Sequence, residues 1–179
     1  MKNVAPIRRD LGVKTFFKIL GPMVKRSQHK NQLIGVYNLE LARTYHYLYQ
    51  KLDKRYAIIH SLDGYDEISL TSPVKVYATH GEKMLYPEQF GLPPVMPSQI
   101  EGGDDIPSSA KLFMNVLECQ GSEAQNAVVT ANAGLAIFAA GKAGSLKDGV
   151  AAAKDALHAG KALESFKTLM NLQQHEIPG

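Results

Sequence analysis

A single cysteine, Cys119, stands in the 179 residues. One thiol cannot close an internal disulfide or pair as a metal ligand, which excludes a disulfide-stapled scaffold and fits a reducing compartment, the cytoplasm. With no base near it in sequence, Cys119 reads as a core thiol. Long apolar runs are equally scarce. The most apolar stretch, residues 124–140, is interrupted by Asn126, Thr130, Asn132 and Gly134, and reads as a buried helix too polar to span a bilayer. The N-terminus lacks the apolar centre of a signal peptide. Low-complexity tracts and internal repeats are missing, and 45% hydrophobic against 21% charged residues describes a folded chain rather than a disordered one. The six histidines show no paired metal-ligand spacing; His60, at a strand end, is the one placed near a site, although a satisfied core histidine is its commoner role. No glycine-rich phosphate loop occurs anywhere.

Charge of either sign is also in short supply. Lys plus Arg exceed Asp plus Glu by 20 to 17, and a net charge of +3 is too small to imply a nucleic-acid partner. The excess gathers over residues 1–55, at Arg8, Arg9, Lys14, Lys18, Lys25, Arg26 and Lys30. Such a stretch can meet an anionic small molecule, for which a few Arg or Lys side chains suffice, or form a solvated face.

What is present reads as an α/β chain. Residues 3–12 and 14–20 form two short helices, the second ended by the breaker pair Gly21-Pro22. Residues 32–37 form an apolar strand, 38–52 a helix capped by Asn38 with Leu41, Tyr45, Leu48 and Leu52 on its apolar stripe, and 56–60 a second buried strand. Strand, helix, strand in this space is a βαβ crossover, so the two strands run parallel. Residues 74–78 and 83–86 flank a hairpin turn at His80-Gly81. From residue 106 onward the chain is helical, at 106–119, 123–141, 146–159 and 161–173, with Ala131, Leu135 and Phe138 striping the longest helix and the set covering the sheet.

Chemistry concentrates after the second strand, where ligands gather in open α/β sheets. Asp63, Asp66 and Glu67 place three carboxylates within five residues of a glycine-containing loop. Hard oxygen ligands on such a loop suit Mg²⁺, which takes one or two protein carboxylates and completes its octahedron with phosphates and water; most acidic loops bind nothing. Arg8 and Arg9 sit on a short helix, where a guanidinium can grip a carboxylate through two hydrogen bonds or simply be solvated.

The string Lys2-Asn3-Val4-Ala5-Pro6-Ile7-Arg8-Arg9-Asp10-Leu11-Gly12, with Lys14-Thr15-Phe16-Phe17 and Leu20-Gly21-Pro22, resembles the middle segment of anthranilate phosphoribosyltransferases. Gln32-Leu33-Ile34-Gly35-Val36-Tyr37 is similar to their next strand, and Asp63-Gly64-Tyr65-Asp66-Glu67-Ile68-Ser69 to their metal-binding DG-x-DE-x-S motif. Pro87 with Phe90-Gly91-Leu92, Ala131-Asn132-Ala133, Ser145-Leu146-Lys147-Asp148-Gly149 and Gly160-Lys161-Ala162-Leu163 extend the resemblance nearly to the end, in the family's order.

The resemblance implies the C-terminal part of the α/β domain shared by glycosyltransferase family 3 and the nucleoside phosphorylases: a partial mixed sheet with a βαβ crossover, covered by C-terminal helices. Residues 1–22 would be a helical linker from the interdomain region and 23–179 the α/β domain. It implies transfer of the phosphoribosyl group of PRPP (phosphoribosyl pyrophosphate) to anthranilate in tryptophan biosynthesis. Arg8 would recognise the anthranilate carboxylate, and Asp66 and Glu67 would hold Mg²⁺ for PRPP. The DG-x-DE-x-S motif with the Arg8 helix points away from the phosphorylases. The family's helical region, GTGGD loop and KHGN segment, which cradle PRPP, are not in this chain, so the resemblance implies a half that is inactive until an N-terminal half is supplied, and self-association or pairing with that half. Lys18, where the family has Asn, and Lys25-Arg26, where it has Asn-Pro, depart from the pattern. A non-catalytic binding or assembly protein that keeps the fold, using the basic stretch from Lys25 to Lys30 on an anionic partner, is the alternative.

Overall fold

The computed structural model describes residues 29–175. The helices expected over 3–12 and 14–20, the boundary at residue 22, and Arg8, Arg9, Lys18, Lys25 and Arg26 lie outside the described residues. Within them the chain runs β1 (Asn31–Gly35), α1 (Leu39–Tyr49), β2 (Arg55–Ser61), β3 (Val74–Ala78), β4 (Gly81–Leu85), α2 (Ile106–Leu117), α3 (Glu123–Ala139), α4 (Leu146–His158) and α5 (Lys161–His175). The four strands form one sheet in the order β1-β2-β3-β4. β1 and β2 are parallel and β2, β3 and β4 antiparallel, the mixed sheet and crossover that the sequence predicts.

Local chemistry sets the helix starts. Asn38 is extended and its side chain accepts the Leu41 N–H at 2.8 Å. Asp105, Ser122 and Ser145 repeat this at the starts of α2, α3 and α4, accepting from Ser108, Gln125 and Asp148 at 2.7, 3.2 and 3.1 Å. Each satisfies a donor that the first turn leaves orphaned.

β2 is buried on both faces, and its side chains alternate between two cores. Tyr56 and Ile58 point into a cluster with Ile34, Val36 and Tyr77 under Ala42, Tyr45 and Tyr49 of α1. Ala57 and Ile59 point the other way, into a core closed by Ala124, Ala127, Ala131 and Leu135 of α3 and Val150 of α4. α3 lies on β1 and β2, α4 packs on α3, and α5 on α4, so the helical cover is layered rather than a single blanket.

Three expectations change in detail. The buried stripe of α1 is Ala42, Tyr45 and Tyr49, while Leu48 and Leu52 are exposed, because the helix turns Tyr49 against the Tyr56 ring with Tyr45 beside it and ends before Leu52. The hairpin loop is Thr79-His80, with Gly81 (φ 116°) already paired to Ala78, so β4 starts earlier than its apolar residues suggest. Phe138 is largely exposed, since the last turn of α3 faces Gly149 of α4 rather than the sheet. Among the described residues, no helix is long and apolar enough to cross a membrane.

α3 and α4 meet backbone to backbone. A Cβ on Gly149 would lie 2.4 Å from the Gly134 carbonyl oxygen, and one on Gly134 would lie 2.7 Å from the Val150 Cα. Alanine in a helix gains about 1 kcal/mol over glycine in propensity. Overpacking against backbone that cannot rotate away typically costs about 1–3 kcal/mol, so the steric effect wins.

Gly149→Ala is therefore expected to destabilise the chain by about 1 kcal/mol or more in denaturant unfolding with an unchanged m-value; a stabilised variant would refute the crossing. A second expectation concerns alkali. Burial pushes the phenols of Tyr45, Tyr49 and Tyr56 above the usual tyrosine value of 10.0, helped by Tyr37 at Tyr45 and by Tyr45 at Tyr49. An acid whose folded pKa is raised contributes stability that is full below the unfolded value and is lost as pH rises through the folded one. The unfolding midpoint should decline above the ordinary tyrosine range, less steeply in Tyr49→Phe; a pH-independent midpoint there would count against the cluster.

Candidate functional site at the carboxyl ends of the parallel strands

Because β1 and β2 are parallel, Gly35 and Ser61 end on the same edge of the sheet. The chain leaving Ser61 turns back at once. The Gly64 N–H donates to the Ser61 carbonyl at 3.0 Å, the Ser61 N–H donates to the Tyr65 carbonyl at 2.9 Å, and Gly64 takes φ 101°, which suits a residue without Cβ. Past the turn the loop is anchored inward. Ile68 and Leu70 are essentially buried, and Leu70 holds a left-handed φ of 59°. That conformation costs a leucine about 1–2 kcal/mol. Burying the Leu70 side chain offsets a cost of that size, and its carbonyl accepts the Val95 N–H at 2.9 Å.

Between the turn and the anchor, Tyr65, Asp66 and Glu67 are exposed. The three acidic residues of the motif then part company. The Asp63 carboxylate accepts the Ser69 hydroxyl at 3.3 Å and the Thr71 hydroxyl more closely, and its N–H donates to Ser72 Oγ at 3.3 Å. Asp63 is spent inside the loop. The side-chain carboxylates of Asp66 and Glu67 have no hydrogen-bond or ion-pair partner among the described residues, although the Glu67 main-chain carbonyl accepts the Ser61 hydroxyl. Two adjacent free carboxylates fit a Mg²⁺ that takes most of its shell from water and substrate phosphates, and they do not make a closed protein cage. No group of three or more His, Cys, Asp or Glu that could hold a metal occurs among the described residues.

Two residues outside the motif set this geometry. Gly35 closes β1 where the Asp66 main chain passes so near that a Cβ would lie 1.7 Å from the Asp66 carbonyl oxygen. Asn132, on α3, is bonded to Ile68 through both its amide groups. Neither is singled out by its chemistry in the sequence. The available signal was that each falls inside a string resembling the family and that Asn132 interrupts an apolar helix.

The other expected residues have quieter roles. His60 is 7% exposed and its Nδ1 shares a 2.9 Å hydrogen bond with the Val36 carbonyl, tying β2 to the end of β1 as a satisfied core histidine. Cys119 is not a core residue: it is half-buried just past α2, with φ 59° and its Sγ 3.1 Å from the Leu157 carbonyl oxygen. A cavity of about 530 Å³ lies at the opposite end of the sheet, where β1 and β2 begin, rimmed by Lys30, Lys54, Arg55 and Lys142. It is remote from the acidic loop; Asp53 also lines it, and Arg55 donates to the Ala140 carbonyl at 3.1 Å.

The chain is similar to the anthranilate phosphoribosyltransferase of Christiangramia forsetii, 52% identical over 98% of this chain and 53% of that protein. It is likewise similar to that of Flavobacterium johnsoniae, 52% identical over 96% of this chain and 52% of that protein. It spans about half the length of these relatives. Among solved structures it superposes on anthranilate phosphoribosyltransferase from Thermus thermophilus, with a TM-score of 0.83, 32% identity, and coverage of 91% of this chain and 49% of that one. The Saccharomyces cerevisiae enzyme in complex with PRPP and Mg superposes with a TM-score of 0.82 at 25% identity, over 93% of this chain and 48% of that one. The pattern described as "Glycosyl transferase family, a/b domain" runs over residues 1–163, and the chain belongs to that family.

Proposed function

We propose that this chain supplies the acidic-loop half of an anthranilate phosphoribosyltransferase site. The observation that carries the reading is the exposed Asp66–Glu67 pair, whose carboxylates have no partner among the described residues, at the carboxyl ends of two parallel strands in a chain spanning half the length of relatives with that name. Asp66 and Glu67 hold Mg²⁺ beside PRPP, and Arg8 grips the anthranilate carboxylate. The anthranilate amine attacks the ribosyl carbon, the bond from that carbon to pyrophosphate breaks, and the amine gives up a proton. When bound, Mg²⁺ neutralises charge on the departing pyrophosphate.

The rest of the site comes from a complementary N-terminal half. Among the described residues β1 is one edge of the sheet, and β4, the other, bears Glu82 and Lys83, the charged guarding typical of a strand meant to stay unpaired. β1 carries no charged side chain, so it is the edge proposed to receive the other half. The lone Cys119 thiol suits a reducing compartment, and the cytoplasm is the proposed location.

The test follows anthranilate fluorescence with PRPP and Mg²⁺, using the chain with and without a separately expressed N-terminal half from a relative. Turnover is expected only in the mixture, falling at least about 100-fold in Asp66→Ala, the scale of losing a group that stabilises charge in the transition state. Turnover by the chain alone would remove the need for a second half. A mixture of folded partners without turnover would leave the non-catalytic reading in its place.

A further inference from the structure

We infer that Asn132 is the positioning residue of the Asp66–Glu67 pair, an inference that rests on reading this pair as the cation site. An asparagine on the sheet-facing side of α3, beside fully buried Ala131, costs stability unless its amide is satisfied. Here it is satisfied by the acidic loop. Asn132 Oδ1 accepts the Ile68 N–H at 2.9 Å, and Nδ2 donates to the Ile68 carbonyl at 2.8 Å and to the Val128 carbonyl of its own helix at 2.9 Å. Both amide hydrogens are used. The side chain pairs with Ile68 as a neighbouring strand would, donating and accepting at one residue.

The peptide unit joining Glu67 to Ile68 is consequently held from two sides. Its N–H points to Asn132 on α3, and its carbonyl accepts the Ser61 hydroxyl of β2 at 2.5 Å. A peptide plane is rigid. Fixing its donor to one element and its acceptor to another leaves little freedom in the direction in which the Glu67 side chain leaves the backbone. Asp66, one residue earlier, is confined in turn by the close pass of its main chain over Gly35. Asn132 therefore aims the two carboxylates without touching anything they bind. Asn126, on the same helix, donates to the Gly121 carbonyl at 3.1 Å and supports the start of α3 with no bond to the loop, which makes it the control for a merely structural role.

Mn²⁺ in place of Mg²⁺ broadens amide NMR signals near where it binds, so titrating it into the full chain reads affinity at residues 63–69 without any turnover. Asn132→Asp keeps the shape but turns the two donors into acceptors facing carbonyls. It is expected to weaken Mn²⁺ binding by about 10–100-fold, the range for loss of a group that orients a metal ligand, while Asn126→Ala loses stability but keeps wild-type affinity. Ser61→Ala, which frees the other side of the same peptide, and the uncharged Asn132→Ser should weaken binding in the same direction, and they carry the test if Asn132→Asp does not fold. Wild-type affinity in the folded Asn132 variants would overturn the inference and leave the cation reading standing. No broadening of the wild-type loop, with the same result in Asp66→Ala, would overturn both.

Discussion

The two-sided burial of β2 is the constraint on which the remainder of the structure depends. A strand exposed on one face needs a single layer of cover. One that sends Tyr56 and Ile58 to one side and Ala57 and Ile59 to the other must be covered twice. α1 provides the first cover and α3 the second. The small residues of α3 let it lie close enough that α4 can in turn cross it at Gly134 and Gly149. Because α1 is also the connection between β1 and β2, the same packing makes these strands parallel and brings both their carboxyl ends to one edge. The location of the acidic loop follows from the core and needs no separate device.

The loop meets a second requirement, exposing two carboxylates on backbone that does not wander. It does this by burying what lies immediately after them. Ile68, Ser69 and Leu70 are nearly inaccessible, and Leu70 accepts a left-handed backbone to reach its place. Asp63, as exposed as its neighbours and of the same chemistry, differs in that its carboxylate collects the Ser69 and Thr71 hydroxyls. One carboxylate thus organises the loop while the other two stay free, a division of labour between like groups set by which hydroxyls lie within reach.

The fold was legible in the sequence wherever a local signal decided it. Asn38 caps as its side chain dictates, and the spacing of strand, helix and strand imposes the parallel pair. Legibility failed where tertiary packing chooses among acceptable faces. Leu48 and Leu52 are as apolar as the stripe requires, yet aromatic stacking of Tyr45 and Tyr49 rotates the helix toward the tyrosines. Phe138 continues a stripe that the sheet does not extend far enough to cover. In the site, the acidic motif was legible as a motif. The hydroxyl bonds of Asp63 were not, because they depend on residues six and eight positions later. Asn132 was harder still: its partner Ile68 lies 64 positions earlier, and a polar residue in an apolar helix shows only that some partner must exist.

Magnitudes bear on the cation role proposed for this pair. A divalent cation about 4 Å from one solvated carboxylate gains roughly 2 kcal/mol, and from two roughly 4 kcal/mol, before their mutual repulsion and the cost of stripping water are charged against it. At the fully water-like limit a gain of about 4 kcal/mol corresponds to millimolar affinity. Asp66 and Glu67 are both exposed, so no low-dielectric surroundings raise that figure. Under the proposed reading, tight cation binding requires oxygens that the loop does not own, and that reading draws them from donor phosphates held by the complementary half. The loop's rigidity is what makes this workable. On that same reading, a weak pair whose direction is already set would lose little further freedom on meeting a phosphate-bound cation, so the affinity contributed by the donor's own oxygens would not be consumed in ordering the protein.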